Sequence, residues 1–285
     1  MDIFFVMSGY LITSLLIAEY GTTGSINYRA FIKRRIRRLL PALTAMLLFC
    51  LLVSQLLWAS PAGMLKDVGL AATYLTNIYI SLGGAESPLS HTWSLSIEEQ
   101  FYIAWPLITA LLVRLSRNTA AGALVCAWLA ITFSRIAVHL VAPDHPAGYF
   151  STPLHVTGLL LGSALAFRPV ETHRGALALA CAVSLMIAAN TVKTFPFAVP
   201  VMELLTILMI CNPPKILLSP VLGWMGKISY GVYLWHIPIL WLVHGSQPVL
   251  TASLSIVAGA LSYYLIEPWT MGRVTPWQRL RALAV

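Results

Sequence analysis

The chain has 285 residues, of which 58% are hydrophobic and only 10% charged, with a net charge of +8. A soluble domain carries roughly 25% charged residues, so a soluble globular fold is excluded. Long apolar runs between short polar loops instead predict an all-α polytopic membrane protein, a single membrane-embedded domain over residues 1–285. The basic residues fall in short clusters between the apolar runs, where they set membrane orientation, and no nucleic-acid partner is expected.

The apolar segments lie near 3–18, 39–58, 68–83, 94–113, 120–142, 153–167, 175–192, 197–212, 228–244 and 250–268. The opening "MDIFFVMSGYLITSLLIAEY" is apolar at once, with Asp2 where a signal peptide would carry Lys or Arg. It reads as a chain that begins part-way through a longer protein. Next comes "YRAFIKRRIRRLL", whose basic cluster belongs in the cytoplasm. Arg35 and Arg38, three apart ahead of Pro41, could project from one side of a helix start and cradle a phosphate. Orientation by positive charge alone is the competing reading.

The segment 68–83, "VGLAATYLTNIYISLG", is short and contains Thr73, Thr76 and Asn77. Charge decides its status. If it does not cross, fifteen basic residues lie inside, against Lys66 and Lys193 outside. If it does cross, the tally becomes seven inside against ten outside. Arg135, within a span, enters neither tally. The positive-inside bias selects nine complete spans plus one re-entrant or interfacial segment, with the N-terminus outside and the C-terminus in the cytoplasm.

"HTWSLSIEEQFYIAWPL", 91–107, reads as a span yet carries Glu98 and Glu99 near its start. A carboxylate in lipid is costly unless it faces a bundle interior or a wet cavity. His91, Ser94, Glu98, Tyr102 and Trp105 follow three-and-four spacing, which puts them on one helix face, whereas Glu99 turns about 100° away. Solvation of both acids among headgroups is the bland alternative. Cys50, Cys126, Cys181 and Cys211 each sit inside an apolar run with no CxxC, so neither a disulfide framework nor a metal site is expected.

In "SYGVYLWHIP", Ser229, Tyr233 and His236 share a face, with His236 placed near mid-membrane; a hydrogen bond between helices would explain it equally well. Trp235 and Trp241 read as packing or interface aromatics. "SYYLIEPW" puts Glu267 near the cytoplasmic end of the final span, either functional or simply an interfacial acid.

The ordered strings "DIFFVMSGYLI", "FIKRRIRRLLPA", "HTWSLSIEEQFYIAWPL", "KISYGVYLWHIP" and "SYYLIEP" resemble the acyltransferase-3 family of integral membrane O-acyltransferases, bacterial enzymes that acylate surface sugars. The resemblance covers nearly the whole chain. It implies that Arg35 and Arg38 form the basic motif linked to the acyl-CoA donor, and that Glu98 is the acid of the "WSLxxEEQFY" motif. Ser229, Tyr230, Tyr233, His236 and Glu267 match further motif positions, and Phe4 to Gly9 a packing-and-site motif. Two departures stand out. Family members begin with an additional helix bearing an arginine and a histidine, the usual candidate base, and this sequence starts after it. In "YFSTPLHVTGLLLG", His155 stands where many relatives have arginine.

The expected function is transfer of an acyl group, acetyl foremost, from acetyl-CoA or another acyl-CoA to a hydroxyl of a cell-surface carbohydrate or glycolipid, at the bacterial inner membrane and without a metal. Glu98 and His236 are the candidate catalytic residues and Arg35 and Arg38 the donor site. His91, Ser94, Tyr102, Ser229, Tyr230, Tyr233 and Glu267 would bind substrate or give support. The rival readings are a transporter or flippase for an acyl group or lipid-linked glycan, and an inactive truncated remnant.

Overall fold

The chain is described by a computed structural model, which covers residues 1–54, 61–143, 145–188, 195–243 and 247–268. Lys193, Arg273, Arg279 and Arg281, used in the charge tally, lie outside the described residues. So do the ends of the spans expected to reach 58, 192 and 244.

Apolar runs that must satisfy their own backbone become helices, and no strand occurs among the described residues. In chain order they are α1 (Asp2–Thr23), α2 (Tyr28–Leu52), α3 (Pro61–Ala72), α4 (Thr76–Ser81), α5 (Trp93–Leu112) and α6 (Arg117–Val141). Two single turns follow, α7 (Ala147–Phe150) and α8 (Thr152–His155), then α9 (Thr157–Phe167), α10 (Gly175–Ala188), α11 (Phe195–Cys211), α12 (Pro220–Leu242) and α13 (Pro248–Leu261). The last runs into a π turn at Ser262–Ile266. Side-chain caps mark the starts of α2, α6 and α12, where Asn27, Ser116 and Ser219 accept from the backbone N–H groups of Ala30, Thr119 and Leu222.

Among the described residues, three helices are long and apolar enough to cross a membrane: Asp2–Thr23, Arg117–Val141 and Pro248–Ile266. The protein is a multi-pass membrane protein, and of the nine expected spans these three are met by long apolar helices among the described residues. α2, α5 and α12 have 25, 20 and 23 residues, yet they carry the basic cluster, the acid pair and Lys227 with His236, which dilute their apolarity. The segment expected at 153–167 is broken at Val156, and α9, at 11 residues, is about 16 Å long. Segment 68–83 is likewise not one helix. It breaks at Thr73–Leu75, where Tyr74 takes φ 56°, leaving pieces of 12 and 6 residues, each too short to cross about 30 Å of hydrocarbon.

The chain forms two compact units. The first comprises Met1–Ile26, Asn77–Gly84 and Ser94–Leu218. At its centre α9 packs against α1, α6 and α11. The α1–α9 contact is backbone against backbone: a Cβ on Gly9 would lie 2.1 Å from the Leu159 carbonyl oxygen, and one on Gly162 2.0 Å from that of Val6. Small residues let membrane helices approach this closely. Beside the glycines, Thr13 accepts from Trp105 Nε1 at 2.8 Å and donates to Ser163 at 2.8 Å, so α1, α5 and α9 share one buried polar chain.

The second unit comprises Asn27–Thr76, Ala85–Trp93 and Ser219–Val285. Here α12 crosses α13 through Gly231 and Gly259, where a Cβ on the former would sit 2.8 Å from the latter's Cα. α2 packs on α3 and α12; Phe49 lies edge-on to Trp235 with centroids 5.1 Å apart, and the Tyr230 hydroxyl donates to the Leu39 carbonyl at 2.9 Å.

Candidate active-site residues

In the first unit, the three-and-four stripe of α5 is a buried face: Ser94, Tyr102 and Trp105 are all buried. Glu98 is its half-buried member. Ser8 of α1 donates to Glu98 Oε1 at 3.3 Å, and Tyr102, one turn along α5, donates to Oε2 at 3.4 Å. The "FFVMSG" and "EEQFY" motifs therefore meet at one carboxylate. Glu99 is also half-buried.

Sequence reasoning missed a second polar centre in this unit. Glu203 of α11 is fully buried. It accepts from the Thr157 hydroxyl at 2.5 Å and from Trp128 Nε1 at 2.6 Å. Thr157 in turn accepts from Arg135 Nη1 at 3.2 Å, so a cation from α6 and an anion from α11 are joined through one hydroxyl. His155, the departure from the family pattern, faces the Tyr149 carbonyl at 2.6 Å with Nδ1 and Asp2 Oδ1 at 3.1 Å with Nε2. The signal was present in the sequence. An ionisable residue inside an apolar run is costly unless partnered, and Glu203 stands in "AVPVMELLTIL" as plainly as Arg135 does in its own run.

In the second unit, three residues singled out from sequence come together. The His91 ring lies 5.5 Å from Tyr233 and 5.3 Å from His236, centroid to centroid, and the last two are 5.8 Å apart. The Tyr233 hydroxyl donates to the His91 carbonyl. His236 Nδ1 lies 2.6 Å from the Tyr233 carbonyl; a carbonyl only accepts, so Nδ1 bears the hydrogen and Nε2 of the neutral ring keeps its lone pair. His91 Nε2 lies 3.1 Å from the Leu234 carbonyl and is a donor by the same logic. His91 is buried in the short turn Ser90–Thr92, ahead of α5.

The remaining candidates of this unit are placed as follows. Ser229 bonds back onto its own helix, donating to Gly226 at 2.9 Å. Arg35 is half-buried with its guanidinium 5.8 Å from the Phe31 ring centroid, and Arg38 is exposed. Glu267 is buried just after the π turn, a turn that packs against α2, the helix carrying both arginines. No group of three or more His, Cys, Asp or Glu side chains that could hold a metal occurs among the described residues.

Comparison with known proteins agrees with the motifs. The family model described as an acyltransferase domain, Acyl_transf_3, matches residues 1–267. O-acetyltransferase OatA of Staphylococcus aureus is 34% identical over 310 residues, covering 93% of this chain and 51% of that protein. The Bacillus subtilis protein named "Putative peptidoglycan O-acetyltransferase YrhL" is 30% identical over 320 residues, covering 93% of this chain and 49% of its own length. The chain thus spans about half the length of these relatives. No solved structure matches it. With motifs, helical architecture and a match across nearly its whole length in agreement, the chain belongs to the acyltransferase-3 family.

Proposed function

We propose that this chain is the membrane-embedded part of an O-acyltransferase that moves an acyl group, acetyl foremost, from acyl-CoA to a hydroxyl of a cell-envelope carbohydrate. The observation that carries the reading is the gathering of His91, Tyr233 and His236 around an imidazole whose Nε2 keeps its lone pair, in a chain of acyltransferase family. The relatives' names point to O-acetylation, and for one of them to peptidoglycan. The protein sits in the bacterial inner membrane with its C-terminus in the cytoplasm, as the distribution of basic residues favours.

In the transfer, an acceptor oxygen forms a bond to the thioester carbon, the carbon–sulfur bond breaks, and the hydroxyl proton leaves for the thiolate. His236 is suited to take that proton at Nε2. In the first unit, the Glu98 carboxylate, held by Ser8 and Tyr102, is the candidate acceptor of a sugar hydroxyl. Arg35 and Arg38 hold the phosphates of the donor, a role that guanidinium forks fill well. The test is binding of radiolabelled CoA to protein in nanodiscs. Arg35→Ala combined with Arg38→Ala is expected to abolish saturable binding, and unchanged binding would refute the donor assignment.

A further inference from the structure

α12 continues through Pro238, which is buried inside the helix. Proline has no backbone N–H, so the carbonyl four residues earlier loses its helical donor. That carbonyl belongs to Leu234. A buried carbonyl without a partner is costly, and here the donor comes from outside the helix: His91 Nε2, at 3.1 Å. The same two segments are joined a second time by the Tyr233 hydroxyl on the His91 carbonyl. The result is a two-point latch, with ring to helix carbonyl in one direction and helix phenol to loop carbonyl in the other. His236 stands between Leu234 and Pro238, its ring edge-on to that of His91 at 5.3 Å.

We infer that Pro238 and His91 are positioning residues: the proline vacates the Leu234 carbonyl so that His91 can dock on it, and the docked ring fixes the orientation of His236. This rests on the acyltransferase reading of His236, and it gives a role to two motif residues, the His of "HTWSL" and the Pro of "LWHIP". The latch also dictates a tautomer. His91 must carry its hydrogen on Nε2, because a carbonyl cannot donate.

Restoring the N–H is the decisive perturbation. In Pro238→Ala, residue 238 regains a helical donor that competes with His91 for Leu234. Alanine is the best helix former, so the helix itself does not weaken. kcat for acyl transfer is expected to fall about tenfold with KM held, the size of one lost positioning contact, while the detergent melting temperature stays level or rises. His91→Gln, whose amide can donate in the same place, should keep most of the activity, whereas His91→Leu should lose as much as Pro238→Ala. In parallel, 15N-histidine NMR of the full-length protein in nanodiscs, with His91 assigned by its loss in His91→Gln, should show the Nε2–H tautomer in the parent and a mixture in Pro238→Ala. Parental kcat in Pro238→Ala, equal activity of the Gln and Leu variants, or an unchanged tautomer would overturn the latch. A parent protein inactive on every thioester would instead sink the acyltransferase reading, and the NMR comparison would still decide the latch.

Discussion

The charge pair joined through Thr157 gives the sharpest stability prediction. Arg135 and Glu203 are 1% and 0% exposed, so neither can recruit water if its counterpart is removed. Arg135→Met keeps the length and packing of the side chain but removes the cation that reaches the Glu203 carboxylate through Thr157, while Thr157 and Trp128 still donate to it. Breaking a buried pair from one side costs about 3–5 kcal/mol, whereas replacing both partners with neutral groups is often near neutral. Glu203→Gln preserves a carbonyl oxygen for Trp128 and an amide that Thr157 can accept from, but it strands the guanidinium. Each single variant should therefore lose about 3–5 kcal/mol, on the order of 10 °C in melting temperature. The double variant should recover at least about 2 kcal/mol of their sum, the hallmark of coupled groups. The assay is thermal unfolding in detergent followed by tryptophan fluorescence, with Trp128 inside the cluster as reporter. Additive losses in the double variant would show that the two charges do not act as a pair.

Gly162→Ala should abolish stable folding of the first unit, since the new Cβ would lie 2.0 Å from the Val6 carbonyl oxygen and backbone cannot yield as a side chain can; monodisperse elution of this variant in detergent would contradict the close α1–α9 approach.

Composition alone excluded a soluble fold, because burying polar backbone in lipid leaves only helices for runs this apolar. The three-and-four spacing of "HTWSLSIEEQFYIAW" was legible in part: Ser94, Tyr102 and Trp105 are buried along α5 with Glu98 half-buried among them, whereas His91, expected on the same face, stands in the turn before the helix and docks on α12. The break in 68–83 was foreshadowed by Thr73, Thr76 and Asn77, whose polar groups an apolar span would not accommodate. Spacing along one helix, however, says nothing about the helix opposite. That Glu98 meets Ser8, that His91 docks beside Pro238, and that Glu203 finds Trp128 and Thr157 are pairings between residues 46 to 143 positions apart. Hydropathy sees such residues one at a time and can register only that a polar group in an apolar run needs a partner; which partner supplies the bond depends on the approach of two backbones, and at α1–α9 that approach is set by glycines whose missing Cβ atoms leave no hydrophobic signal.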